Sequence, residues 1–463
     1  MEHQKNTQLV KRFAKLVQEN KELSQELYQL RKKYEESLRK NEEYELIVNK
    51  YTNYKEVKEI VLAEKSKTLK FNMVTVLYAQ IHGFSDILPE MDSELIMDQL
   101  DHLYYHFDEI VKKYPIEKIR TIGDTYMCAG GIPEKNITNP IEVVLSANEM
   151  LHLVKSYSND HNAVWEICIA IHTGSVTAIV NGKNKNTYDI KGDTVNVTSR
   201  MEASGSNGKL LISVMTYELI KEFFDCEYYG KLPVKYKGNL QMYVVKGIKP
   251  ELSVDGLGVI PNQQFKTQFA LIQFHDLQEQ VFDLLEFELP EDLFYHNLKH
   301  TVDVVTEVEL IGWAEGITDE EILLLKTAAL FHDAGHTISY KEHEFHGTQI
   351  AQKILPRFNY SHEQIEKISE IIMATKMPPQ PKNLLEKIIC DADLDYLGRI
   401  DFIPVSNTLY EELKIRNMIS NINDWNKAQL GFISNHQYFT MTARKLREVN
   451  KQIQIERIRQ LIT

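Results

Sequence analysis

Cysteine is scarce in this chain: Cys128, Cys168, Cys226 and Cys390 are the four in 463 residues, scattered without a metal-ligand or redox spacing. That excludes a disulfide framework and a thiolate metal knuckle, and it predicts a reducing, cytoplasmic setting. Long apolar runs are missing too. No stretch approaches the ~20 residues that cross a bilayer, and the charged segment from Glu2 onward lacks a signal-peptide core, so no membrane partner is expected. Positive charge is in deficit, 53 Lys and Arg against 66 Asp and Glu, a net charge of -13. A general nucleic-acid binder needs clustered cations to hold phosphates, and this balance excludes one. What is there, 43% hydrophobic and 26% charged residues, suits a globular chain of two or three domains.

Residues 1–66 contain no glycine or proline and are rich in Lys, Glu, Gln and Leu. Leu9, Leu16, Leu23 and Leu30 recur every seventh residue, continued by Ser37, Tyr44 and Tyr51, with Phe13, Asn20, Leu27, Tyr34, Asn41 and Val48 as the companion seam. This heptad pattern predicts a parallel two-stranded coiled coil and therefore a homodimer, with Asn20 and Asn41 setting register.

The densest chemistry lies near the C-terminal end. An apolar helical run, Ala328-Ala329-Leu330-Phe331, leads into His332-Asp333-Ala334-Gly335-His336, where adjacent nitrogen and carboxylate donors can meet one cation. Upstream, His296 and His300 are four apart and share a helix face. Downstream, Ile389-Cys390-Asp391-Ala392-Asp393 offers a late carboxylate after an apolar helix. The expected metal ligands are His300, His332, Asp333 and Asp391, a mixed nitrogen and oxygen set that suits Zn, Mn, Fe or Mg.

Residues from about 265 to 455 resemble an HD-superfamily metal-dependent phosphohydrolase. The pattern Tyr-His-Asn-x-x-His-x-x-Asp-Val followed by His-Asp-x-x-His is similar to cyclic-nucleotide phosphodiesterases, although this chain reads Thr337-Ile338 where that motif continues with Pro-Gly. The resemblance implies two divalent metal ions with Asp333 bridging, His296 as general acid and His336 organising the second metal or its water. Glu344 matches a position that is often acidic in this superfamily. The substrate implied is a 3',5'-cyclic nucleotide.

Between these regions the periodicity changes. Asn72 to Ala79 reads as a buried strand, Leu95 to Val111 as a helix, and Ile119 to Met127 as a hairpin with Asp124 at its bend. Cys168 to Val176 reads as a strand and turn, and Tyr188 to Met201 as a strand and helix on which Asn196 and Arg200 face the same way. Residues from about 70 to 247 are similar to class III adenylate and guanylate cyclase catalytic domains. The resemblance implies a βαββαβ palm that binds ATP or GTP across a dimer interface. Asp124 matches one of the family's two metal-holding carboxylates, whereas Gln80 stands where the other should be. Arg200 then corresponds to the residue that stabilises the transferring phosphate, Asn196 to the ribose-orienting amide, Lys235 or Lys237 to a phosphate contact, and Arg120 with Asp189 to the base-reading pair. His82 and His172 receive no role.

The expected architecture is multidomain: a coiled coil over 1–66, an α+β ferredoxin-like cyclase palm over 67–247, a linker over 248–264 carrying Pro250, Gly256, Gly258 and Pro261, and an all-α HD domain over 265–463. The expected function is hydrolysis of a cyclic nucleotide, regulated by ATP or GTP bound to a cyclase domain short of a carboxylate. The alternatives are a bifunctional cyclase and phosphodiesterase, an HD nucleotidase acting on other phosphoesters, and a non-catalytic dimeric scaffold.

Overall fold

The structure is a computed structural model that describes residues 68–82, 93–161, 165–180, 188–234 and 238–462. The expected coiled coil, Lys235 and Lys237 lie outside the described residues.

The first half is an α/β domain. Strand β1 (Thr68–His82), helix α1 (Ser93–Lys112), strands β2 (Ile116–Ile122) and β3 (Thr125–Gly130), helix α2 (Asn139–His161) and strand β4 (Glu166–Val180) follow one another as a βαββαβ unit. Strand β5 (Tyr188–Lys191), helix α3 (Asp193–Ala203), strand β6 (Leu210–Ser213), helix α4 (Val214–Ile220), and strands β7 (Phe224–Val234) and β8 (Gly238–Ile248) complete it. The sheet order is β2-β3-β1-β4-β6-β8-β7, with β5 paired to β4.

Alternation along the central strands explains the layers. Leu77, Ala79 and Ile81 of β1 and Ile167, Ile169 and Ile171 of β4 pack with Leu103 and Phe107 of α1 and Val144 and Met150 of α2. The opposite face carries Val74 and Val76 with Val176 and Val195, and Ala170 with Val197 and Met201 of α3. The hairpin with Asp124 at its bend is present as β2 and β3. The turn expected after Cys168 is absent, because β4 continues through Gly174, paired with Val74 of β1, and resumes after a register shift at Val176, paired with Phe71. Gly174 serves close packing instead: a Cβ there would lie 2.7 Å from Thr194 Oγ1 at the start of α3.

The segment expected to be a linker is bonded to the sheet domain. Ile248 N donates to Gly258 O, Ser253 pairs with Pro261, and Leu252 joins the α/β core. Asn262 then caps helix α5 (Gln263–Glu288) by accepting from Phe265 N.

Beyond it the chain is helical: α6 (Leu298–Glu315), α7 (Asp319–Phe331), α8 (His343–Ile354), α9 (His362–Met373), α10 (Leu384–Asp393), α11 (Phe402–Ile415), α12 (Ile422–Asn435) and α13 (Met441–Leu461). A Thr318/Glu321 capping box starts α7, and Asn297 caps α6 by accepting from Lys299 N and His300 N. Helix α7 is buried almost all round, with Leu323, Leu325, Ala328 and Phe331 in the helical core. No helix among the described residues is long and apolar enough to cross a membrane.

Candidate metal centre and nucleotide face

Burial of α7 delivers its C-terminal dipeptide to the domain interior: His332 and Asp333 are 1% and 6% exposed. His332 Nε2 lies 3.3 Å from His300 Nε2. Asp393 Oδ1 is 3.1 Å from the His300 nitrogen and 3.6 Å from the His332 nitrogen, while Asp333 Oδ2 stands 3.4 Å and 3.2 Å from the same two atoms. Separations of 3.1–3.6 Å between these imidazole nitrogens and carboxylate oxygens are those of neighbouring ligands on one cation with bonds of about 2.0–2.2 Å. His332 Nδ1 lies 2.8 Å from Ala329 O, so it carries the hydrogen and Nε2 keeps the lone pair a ligand needs.

The other oxygen of Asp333 turns toward a second group. Oδ1 is 3.9 Å from His336 Nε2 and 3.5 Å from His343 Nε2, and the donors of His296, Asp333 and His336 all lie within 4.8 Å of one another. Asp333 Oδ2 and both ring nitrogens of His336 are buried with no hydrogen-bond partner among the described residues. Buried polar atoms left this way are costly unless another ligand meets them, and the donor chemistry fits a divalent cation. Burial pushes the His336 imidazole down to about 3, outweighing the pull of Asp333, so the ring is neutral and one of its nitrogens keeps a lone pair. Burial alone would raise the carboxyls of Asp333 and Asp393, but the imidazoles facing them win and hold both below the ordinary range.

One expected ligand is corrected. Asp391 is fully buried but faces away from the histidines: its oxygens accept from Phe439 N, Thr440 N and Thr440 Oγ1 at 2.7–2.8 Å. Asp393 takes the place expected for it. Two positions on one helix differ by about 200° in direction, so the two carboxylates cannot serve the same cluster.

Three contributors carried no clear local signal. Glu412 of α11 lies 2.5 Å from His296 Nδ1 and accepts from Tyr295 N and His296 N. His343 stacks on His336 at 4.0 Å between ring centroids. Gly335 permits that stack, since a Cβ there would overlap the His343 carbonyl oxygen and sit 2.6 Å from Gly347 N. Glu344, buried beside it, lies 3.6 Å from His343 Nε2. A cavity of about 330 Å³ opens on His296, Asp333, His343, Glu344 and Asp393 and is walled by Leu394, Tyr396, Leu409, Leu413, Trp425 and Phe432, with no Lys or Arg in its lining. Met377, which precedes Pro378 and Pro379, borders it.

In the α/β domain, Asp124 sits at the β2/β3 turn and Gln80 Nε2 donates to its Oδ2 at 3.1 Å. Arg120 of β2 and Asp189 of β5 come together, 3.6 Å apart. Asn196 and Arg200 are both exposed on α3. Within this chain the structure therefore joins Arg120 to Asp189 and Gln80 to Asp124, and presents Asn196 and Arg200 outward.

Comparison with known proteins assigns the two regions separately. Residues 67–247 match the adenylate and guanylate cyclase catalytic domain, and residues 297–395 match the HD domain. The chain is 32% identical over 183 residues to the receptor-type guanylate cyclase gcy-28 of Caenorhabditis elegans, covering 39% of this chain and 14% of that protein. It is 31% identical over 177 residues to the membrane guanylyl cyclase of Dictyostelium discoideum, covering 38% of this chain and 12% of that protein. Among solved structures, the guanylate cyclase domain of RhGC from Catenaria anguillulae in complex with GTP aligns at 31% identity and a TM-score of 0.37, over 39% of this chain and 100% of that one. The chain thus joins a domain of the adenylate and guanylate cyclase catalytic family to a domain of the HD family.

Proposed function

We propose that the HD domain is a metal-dependent phosphodiesterase that opens 3',5'-cyclic nucleotides, and that ATP or GTP bound to the cyclase domain of a homodimer regulates it. The observation that carries the reading is Asp333, which lines the cavity and whose two oxygens turn to two separate imidazole groups. Two divalent cations, when bound, supply a water acidic enough to ionise near neutrality and positive charge against the phosphoryl oxygens. His300, His332, Asp333 and Asp393 would hold one, and Asp333 with His336 the other. His296, backed by Glu412, stands where Nε2 can deliver a proton to the departing ribose oxygen.

The cavity walls favour this substrate class over a nucleoside triphosphate. Tyr396, Trp425 and Phe432 suit a flat base, and a cyclic diester carries a single negative charge. A triphosphate calls for Arg or Lys clamps that this lining lacks.

At the cyclase domain, Gln80 offers one neutral carbonyl where a carboxylate is expected, which weakens hold on two hard cations. Asp124, Arg120, Asp189, Asn196, Arg200 and Lys235 are the proposed nucleotide contacts, so the domain would bind and sense a nucleotide without efficient synthesis. Retention of those polar positions also favours a second reading, a bifunctional enzyme that still makes cyclic product. The deciding assay measures hydrolysis of cyclic AMP and cyclic GMP with and without ATP or GTP, in the parent and in Arg200→Ala. No hydrolysis of either by metal-loaded protein would refute the catalytic reading. An ATP- and GTP-independent rate would refute the regulatory one. Cyclic product formed from ATP or GTP by His332→Ala would favour the second reading.

A further inference from the structure

Regulation of this kind needs a physical route, and a buried polar chain in the α/β domain runs toward the helical domain. His172 Nδ1 lies 2.7 Å from Ser213 Oγ, which is 3.3 Å from Thr216 Oγ1. Thr216 Oγ1 is 3.0 Å from Thr173 Oγ1, and that is 3.0 Å from Thr75 Oγ1. Thr75 Oγ1 is 2.6 Å from Asn139 Oδ1. All six side chains are buried.

The end of the chain fixes its direction. Asn139 Oδ1 can only accept, so Thr75 must donate to it and accept from Thr173. A hydroxyl has one hydrogen, so Thr173 accepts from Thr216, Thr216 from Ser213, and Ser213 from the Nδ1 hydrogen of His172. The five bonds therefore point one way and cross the sheet, because His172 and Thr173 lie on opposite faces of β4. At the His172 end, Thr194 of α3 donates to Ser175 O, tying in the helix that presents Asn196 and Arg200. At the Asn139 end, Asn139 Nδ2 donates to Asn136 O, and Asn136 Nδ2 donates to Glu142 Oε2. The next residue, Ile137, donates its backbone N–H to both oxygens of Asp276, 3.2 Å each, on α5.

Helix α5 is common to both domains. Phe265, Phe269 and Ile272 pack into the α/β core, and with Asp276 they form a stripe at helical spacing. Phe274, Leu277, Val281, Leu284 and Leu285 pack into the helical core. The 26 residues contain no Gly or Pro, so the helix is a stiff rod of about 39 Å. It packs on α7 and on the Ala334–Thr337 turn that follows His332 and Asp333.

We propose that nucleotide occupancy at the α3 face is transmitted to the HD centre through this one-way chain of hydroxyls and amides, the Asp276 latch and helix α5. The proposal rests on the regulatory reading above. A ligand that favours one placement of α3 acts on the head of the chain, and the latch passes the preference to the rod that shoulders the metal-bearing turn.

The test uses the full chain as the parent, Thr75→Val, which keeps shape but cuts the chain, and the surface variant Asp276→Ala, which opens the latch without touching either core. Binding of non-hydrolysable ATP and GTP analogues, cyclic-nucleotide hydrolysis with and without them, and amide exchange at Ile137 and along 263–288 are measured. The expected result is a response to nucleotide of about fivefold or more in the parent, lost in both variants, with nucleotide affinity and basal hydrolysis retained. Nucleotide should slow exchange at Ile137 in the parent and not in Thr75→Val. If Thr75→Val fails to fold, Asp276→Ala alone decides. Variants that bind and respond like the parent overturn the route while leaving the regulatory reading intact. A parent that binds nucleotide without any change in hydrolysis overturns both.

Discussion

The Nδ1 atom of His296 and the Oε1 atom of Glu412 lie 2.5 Å apart although 116 residues separate them. The carboxylate's other oxygen accepts from the backbone N–H groups of Tyr295 and His296, so the carboxylate is anchored and its Oε1 holds the ring by Nδ1. Glu412 thereby fixes Nε2 toward the cavity. Glu412→Ala should lower kcat for cyclic-nucleotide hydrolysis by about 10–100-fold. The metal held by His300, His332 and Asp393 should remain, as read by elemental analysis. Loss of that metal would show that Glu412 supports the fold of the whole centre and not the orientation of one imidazole.

Asp391 and Asp393 make opposite predictions. Asp393→Asn should release metal and abolish hydrolysis while the melting temperature of the metal-free protein stays near the parent's. Asp391→Asn should keep the metal but destabilise the start of α13, because an amide nitrogen replaces an acceptor of the Thr440 contacts. Its cost should be about 1–3 kcal/mol in chemical unfolding. Metal loss on Asp391→Asn with retention on Asp393→Asn would reverse the assignment.

That pair also shows what could and could not be read from the chain. His300, His332 and Asp333 were legible because adjacency and one-turn spacing put donors on buried helix faces. The choice between Asp391 and Asp393 was not, since it depends on Thr440, almost fifty residues away, claiming the first. Glu412 and His343 reach the centre by tertiary packing alone. The first strand, the helix after it and the β2/β3 hairpin were readable from strand and helix periods, whereas the βαββαβ order was implied only by the resemblance, and Gly174 looked like a turn when its lack of a Cβ serves close approach by Thr194. His172 seemed a plain core histidine, and only the positions of Ser213 and Thr216 give it a place at the head of a chain.

Gln80 and Asp124 share a hydrogen bond of 3.1 Å, so the amide occupies the space beside the carboxylate that a second acidic group would need. Gln80→Asp puts two carboxylates side by side, an arrangement that requires a cation to offset their repulsion. Made in a His332→Ala background to stop hydrolysis, it should raise cyclic-product formation from ATP or GTP with Mn by at least about tenfold. An unchanged rate would mean that more than this one carboxylate has been lost from synthesis.

The last prediction concerns acidity at the junction of the domains. Burial raises the Glu142 carboxyl from 4.5 to about 7, with Asn136 opposing and the nearby Asp276 charge adding to the rise. A carboxyl with a raised folded-state pKa contributes stability that is fully present below its unfolded value and is lost as pH climbs through the folded one. The window is therefore about 4.5 to 7, and above it the fold carries a buried carboxylate facing Asp276. Glu142→Gln removes the titration and keeps an acceptor for Asn136. The variant should gain on the parent as pH rises, by roughly 3 kcal/mol once Glu142 is ionised, and the difference should stop growing above about pH 8. Thermal or urea unfolding of both proteins from pH 4.5 to 8.5 measures it. A stability difference that stays flat across that range would mean that Glu142 is already ionised in the fold at pH 5, with the Asn136 amide outweighing burial.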